Sequence, residues 1–232
     1  MFVYTRILLC AFLSAALLSG CTSGEESAKA GEALTIKADN YRGSADYRAD
    51  IGASLIYWSG NEVVSGKEHR GTLKLNEGAF YIKKGEMKGG RFEIDMKSLT
   101  VKDLAAGDGK ERLEGHLASD DFFAIEEFPT AEFEIASITG VDTIESANAL
   151  VTGNLRIKDI TKSITIPAKI SINDQYVTVM SPEFTINRTE WDVNFRAGFL
   201  GTAKDKVISD LLTLRLRIKG DNPDNASAQP TE

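Results

Sequence analysis

Thiols are almost absent from this chain. Of its 232 residues only Cys10 and Cys21 are cysteines, and no CxxC pair occurs. Histidine is as scarce, with His69 and His116 alone. HExxH, GxSxG and phosphate-loop patterns are missing, which removes the common signatures of zinc proteases, α/β hydrolases and nucleotide-binding enzymes. His69 and His116 could join a carboxylate around zinc, but they lack close ligand spacing. Positive charge is also short. The formal net charge of −7 excludes the basic footprint of a nucleic-acid binder and a polybasic grip on anionic lipid. The apolar run ILLCAFLSAALL, residues 7–18, has twelve members, too few to span a bilayer, and no later segment does better.

That run has the form of a secretory signal segment, preceded by MFVYTR with its one positive charge, Arg6. It ends in LSGC, Leu18 to Cys21, which resembles the lipobox of bacterial lipoproteins. The resemblance implies cleavage before Cys21 and acylation of that residue; an ordinary signal peptide cut nearby is the alternative. An exported chain with one cysteine, at its first mature residue, makes sense if that cysteine is acylated. Several acyl chains anchor firmly where one does so marginally. Removing residues 1–20 and Arg6 with them leaves 212 residues and shifts the net charge from −7 to −8. Residues 21–33 are small, polar and charged and are expected to form a flexible tether; 221–232 are expected to be a disordered tail. The fold is then one domain over about 34–220, long enough for a well-buried core.

Within that span the hydrophobic period is two. Phe92, Ile94 and Met96 alternate with Arg91, Glu93 and Asp95. Phe133 and Ile135, Leu155 and Ile157, the series Ile164 to Ile172, and Leu212 to Ile218 repeat the pattern. One dry face and one wet face mark antiparallel strands, with NEG, KKGEMKGG, ITG and IND as turn signals. Pro167 inside such a run predicts an edge or bulge. The fold class is all-β, a barrel or sandwich. The exception is residues 99–128, whose Ala, Leu and charged residues predict a helical excursion, with Ser119 as an N-cap and Asp120 and Asp121 at the positive end of the helix. Phe128 before Pro129 should leave the helix.

EGHLASDDFFAIEEFP, residues 114–129, concentrates chemistry-bearing side chains. Asp120 and Asp121 are adjacent, so their side chains diverge and suit helix-end solvation better than shared acid–base work. Phe122 and Phe123 cannot both be buried well by one amphipathic face. Either both rings pack beneath the excursion, or one faces a cavity.

The same stretch resembles the HLxSxDFFDxxxYPxxxF signature of YceI-like proteins, the polyisoprenoid-binding, lipocalin-like family. His116, Leu117, Ser119, Asp121, Phe122, Phe123, Pro129 and Phe133 match, while Ala124 and Phe128 depart. YWSGN, EHRGTLKL, GGRFEIDMKSLTVKD, VTGNLRIKDITKSITIPAKI (with Asp159 for a glycine), INRTEWDVNF and DKVISDLLTLRLRIK follow in family order over about 36–219. The resemblance implies an eight-stranded antiparallel barrel holding an isoprenoid or other long-chain amphiphile, and no enzyme. Such a barrel has room inside for packed side chains or one small ligand, and each buried methylene is worth about 0.8 kcal/mol. Trp58, Phe92, Ile94, Met96, His116, Leu117, Phe122, Phe123, Phe133, Arg188 and Trp191 are the expected ligand-binding residues, with His116, Asp121 and Arg188 as polar fixtures near the pocket. No metal and no cofactor beyond the lipid are expected; a homodimer is allowed. The alternative is an envelope interaction module with a self-filled barrel. Thr22 and Ser23 follow Cys21; the absence of aspartate at the second mature position resembles outer-membrane sorting, so a lipid-anchored protein of the cell envelope is expected, facing the periplasm or the surface.

Overall fold

The alternating segments become strands whose inward faces carry the apolar residues. A computed structural model describes residues 28–36, 41, 45–142, 144–198, 203 and 206–224. Its elements in order are β1 (Ala45–Ala49), β2 (Leu55–Asn61), β3 (Glu68–Lys83), β4 (Glu86–Val101), α1 (Lys110–Ala118), β5 (Thr130–Gly140), β6 (Ala149–Ile157), β7 (Ile160–Ile172), β8 (Tyr176–Met180), β9 (Phe184–Asn187) and β10 (Leu211–Asp221). A one-turn 3-10 helix at Arg188–Trp191 follows β9.

The pairings close on themselves. Strands β2 to β8 run in sequence order, β8 pairs β10, and β10 pairs β2, all antiparallel, so eight strands form the expected barrel. Strand β9 adds to the start of β10, and β1 lies against the ends of β3 and β10. Strand β6 shows the alternation plainly: Ala149, Val151 and Leu155 are buried, whereas Leu150, Thr152, Asn154 and Arg156 are half-buried. The apolar faces meet in two clusters, one around Phe80, Phe92 and Ile135 and one around Ile164, Phe184 and Trp191.

Three local expectations are corrected. Strand β4 continues to Val101, and the helix begins only at Lys110, after Gly109 at φ 95°. Ser119 ends the helix rather than starting it. Its backbone N–H and its hydroxyl both donate to the His116 carbonyl, leaving Asp120 and Asp121 beyond the C-terminus. Asn76–Gly78 is no turn but an irregular step inside β3. There Gly78 makes room for Phe92, since a Cβ would stand 2.6 Å from that ring. The end of the segment read as a tether lies on the barrel from Ala28 onward. Ala28 is buried and donates to the Thr185 carbonyl, and Gly31 pairs with Ser163. At the other end β10 includes Asp221, the first residue assigned to the tail. Lys84 and Gly85, at φ 54° and 76°, make the β3–β4 turn expected of KKGEM. Pro167 pairs with Leu150 of β6, and the β8 pairing starts only at Lys169, so the missing N–H costs no ladder bond there. The signal segment, Cys21 and the tail beyond Asp224 lie outside the described residues.

Candidate functional site

Three strands carry the apolar row Phe92, Phe133 and Leu155, in register across β4, β5 and β6. These side chains border an inner chamber of about 100 Å3 whose lining residues are all apolar, from Ile56 and Ile94 to Phe80, Val179 and Ile218. A second, outer chamber of about 250 Å3 lies toward α1 and the 3-10 turn, lined by Trp58, Leu73, Met96, Leu99, Leu113 and Phe195 among others. Ile56, Ile94, Leu155 and Leu214 belong to both walls. The two chambers, which abut at a waist formed by these four residues, make up the apolar tube of the barrel. Their joint volume lies near the lower end of the roughly 300–1,000 Å3 usual for small-molecule sites, which suits a slim occupant.

Helix α1 and the turns after it roof the outer chamber. The His116 ring stands edge-on to Phe122 and Phe195, with centroids 5.0 and 4.7 Å away. Its Nε2 faces Asp121 Oδ2 at 3.2 Å. Phe122 is 6% exposed, wedged between these rings, whereas Phe123 is half-buried; both border the chamber. Consecutive residues thus split their roles, one as keystone of the roof and one as wall.

Polar groups gather at the open end. Arg188 is buried and its guanidinium donates to the carbonyls of Ser209 at 2.9 Å and Ile208 at 3.2 Å, and to that of Val193. Burial pushes this guanidinium down from its usual range, and Asp210 at 3.6 Å pulls the other way. Clamping three carbonyls fixes the loop that carries the rim. Nearby, His69 Nδ1 meets Asp103 Oδ2 at 2.8 Å. Burial alone would raise Asp103, but the Arg70 N–H and the His69 ring hold it below the usual carboxylate range. Lys67, Glu62, Asn61 and Arg196 complete the opening. Among the described residues no group of three or more His, Cys, Asp or Glu side chains could hold a metal.

Of the residues predicted from sequence, Trp58, Met96, His116, Leu117, Phe122, Phe123 and Arg188 lie on the outer chamber, Phe92 and Phe133 on the inner, and Ile94 at the waist. Trp191 lines neither chamber. It is fully buried behind the wall residues Leu155, Ile164 and Phe184, and its Nε1 donates to the Leu155 carbonyl at 3.0 Å. Trp58 presses its ring on Gly71, where a Cβ would come within 2.6 Å; its buried Nε1 meets no acceptor among the described residues. Sequence reasoning missed Phe195, Arg196 and Lys67, which sit in segments without period. It also left Leu155, Leu214 and Leu216 off the site, although their alternation marked them as inward.

A closed antiparallel barrel with an apolar tube and a roofed mouth is the architecture of a small lipocalin-like protein. Residues 47–220 match the YceI-like domain family, and the chain belongs to that family. A UPF0312 protein of Azotobacter vinelandii is 27% identical over 139 residues, 59% of this chain; the match spans 60% of that relative's length. Among solved structures, a polyisoprenoid binding domain from Saccharophagus degradans, implicated in plant cell wall breakdown, shares 14% identity at a TM-score of 0.57, covering 78% of this chain and 99% of that one. Burkholderia cenocepacia BcnA shares 18% identity at 0.52, covering 74% and 98%. These two likenesses speak for the fold.

Proposed function

We propose that the protein binds one long-chain amphiphile, an isoprenoid or a fatty-acid-like lipid, with its chain along the tube and its headgroup at the mouth, for carriage, storage or protection at the cell envelope. The observation that carries this reading is the inner chamber, about 100 Å3 with a wholly apolar lining, which shares four wall residues with the chamber at the mouth. Water gains no partners in such a space, whereas a hydrocarbon chain gains about 0.8 kcal/mol for each methylene it brings in. Family membership and the polyisoprenoid binding domain with the same fold support the choice of ligand. Binding rather than catalysis suits a site whose wall is almost all hydrocarbon.

Extraction of the purified protein with organic solvent, followed by mass spectrometry, tests this. A long-chain lipid near one per chain is expected. An empty extract, with no uptake of added lipid, would favour the self-filled interaction module. The proposal includes a lipid anchor at Cys21 and a place in the envelope, supported by the lipobox-like LSGC. Cys21→Ser should then abolish acylation and release the protein from membranes; a processed variant that stays in the membrane fraction after a high-salt wash would refute the anchor.

A further inference from the structure

At the open end the barrel exposes apolar side chains that nothing in the described chain covers. Val63 and Val64 are adjacent in the β2–β3 turn and 56% and 62% exposed, and Leu211 is 44% exposed while also lining the outer chamber. The turn is held in place: Glu62 N–H donates to the Lys67 carbonyl, Val63 N–H to that of Val207, and Glu62 bridges Ile208. Since Glu62 and Lys67 border the opening, the two valines stand just beyond it. Two cations share this rim, Lys67 and Arg196, both exposed and without an ion pair among the described residues. The Glu62 carboxylate is occupied by the Ser65 hydroxyl at 2.6 Å.

We propose that this rim docks on a bilayer bearing anionic headgroups. The valines enter the interfacial region, Lys67 and Arg196 face the headgroups, and an amphiphile passes between bilayer and cavity without crossing water. The inference rests on the cavity reading above. A net charge of −7 opposes attraction of the whole molecule, but screening confines charge effects to about 8–10 Å, so the rim decides, where Lys67 and Arg196 stand against the carboxylate of Glu62. Two branched side chains on a turn need no complementary pocket to enter a fluid interface. Leu211 belongs to both rim and wall, so the docked face adjoins the cavity. Chain geometry agrees. Ala28 is bound to Thr185, which pairs with Thr213, two residues from Leu211 on β10. Cys21 precedes Ala28 by seven residues, a reach of at most about 25 Å, so an anchor there keeps this half of the barrel close to the membrane.

The test compares the full chain with a Val63→Asp/Val64→Asp variant and with Ile51→Asp, all with the same N-terminus. Ile51 is 52% exposed in the β1–β2 turn at the opposite end, so its variant controls for added charge. The probe is cis-parinaric acid, read by energy transfer from the two tryptophans, Trp58 and Trp191. It is delivered either from ethanol or from vesicles of phosphatidylglycerol and phosphatidylcholine. Uptake from ethanol should be alike in all three. Transfer from vesicles should accelerate with vesicle concentration and fall about tenfold or more in the valine variant, the loss of at least one buried valine. Ile51→Asp should transfer normally. Failure of the unsubstituted protein to take up the probe from ethanol would overturn the cavity reading and this inference with it. Normal uptake with an unchanged transfer rate in the valine variant, or equal slowing in Ile51→Asp, would overturn the docking surface alone.

Discussion

Ala168 offers a way to close the inner chamber from within. It is 2% exposed, sits on the inward face of β7 between Ile166 and Ile170, and lines the chamber. Ala168→Leu adds three carbon groups to that wall. At the ~30 Å3 a water-sized group occupies in a liquid, a space of about 100 Å3 takes about three methylenes. Those methylenes are worth about 2.4 kcal/mol, or roughly 60-fold in Kd. The leucine should take the place that the distal end of a bound chain would occupy. Two effects follow. Apo-protein melting should hold or rise, because the new side chain fills a void. In a chain-length series of fatty acids, affinity should gain per methylene for short chains as before, then stop growing about three carbons sooner than in the unsubstituted protein. Calorimetric titration over the series reads this directly. If the chamber is already packed, the leucine overpacks it and costs about 1–3 kcal/mol of stability. A lower melting temperature together with an unchanged chain-length profile would therefore refute the reasoning.

Two further expectations concern the roof and the outer face. Phe123→Asp should expel the lipid with a modest loss of stability, because a charge would face the alkyl chain. Phe122→Asp should lower the melting temperature first, a core lesion of about 3–5 kcal/mol; paired melts and lipid-retention assays separate them, and equal retention by both would remove the site from this stretch. Glu132 bonds Arg156 at 2.6 Å and Arg91 at 3.2 Å. Burial acts to raise its carboxyl, but the two guanidiniums outweigh burial and hold it below the usual range. A depressed folded value means stability that is present above the unfolded value, near 4.3, and lost as pH falls through the folded one. Glu132→Gln should therefore melt lower than the parent at pH 7, by about 1 kcal/mol at most for so exposed a network, and the two should converge as the pH falls through the depressed folded value. A gap that widens on acidification would contradict this.

Much of the barrel was legible because each strand has one dry face. The runs around Phe92, Leu155, Ile166 and Leu216 carry that period for several residues, and a closed sheet is a natural way to bury them. Where tertiary contacts decide, the reading failed. Ser119 has the chemistry of an N-cap, yet its hydroxyl closes the helix on His116. NEG has the composition of a turn, yet Gly78 is used for the Phe92 ring. The wall of the tube was half legible for a related reason. Alternation marks which side chains point inward, but not which of them border empty space and which, like Trp191, find a buried partner. Phe195 and Arg196 lie in an aperiodic loop placed by the carbonyl clamp of Arg188, and a contact of that kind leaves no local pattern.

We expect a bound hydrocarbon chain to lie along the tube with its far end past the waist. A fatty acid with a photoreactive diazirine at its terminal carbon tests this most directly: illuminate the complex, digest it, and locate the label by mass spectrometry. Saturable labelling, at most one per chain, is expected on peptides holding Phe80, Val179 or Ile218, which line the inner chamber. Labels spread over the outer surface, or confined to the rim at Val63, Leu211 and Phe195, would contradict it.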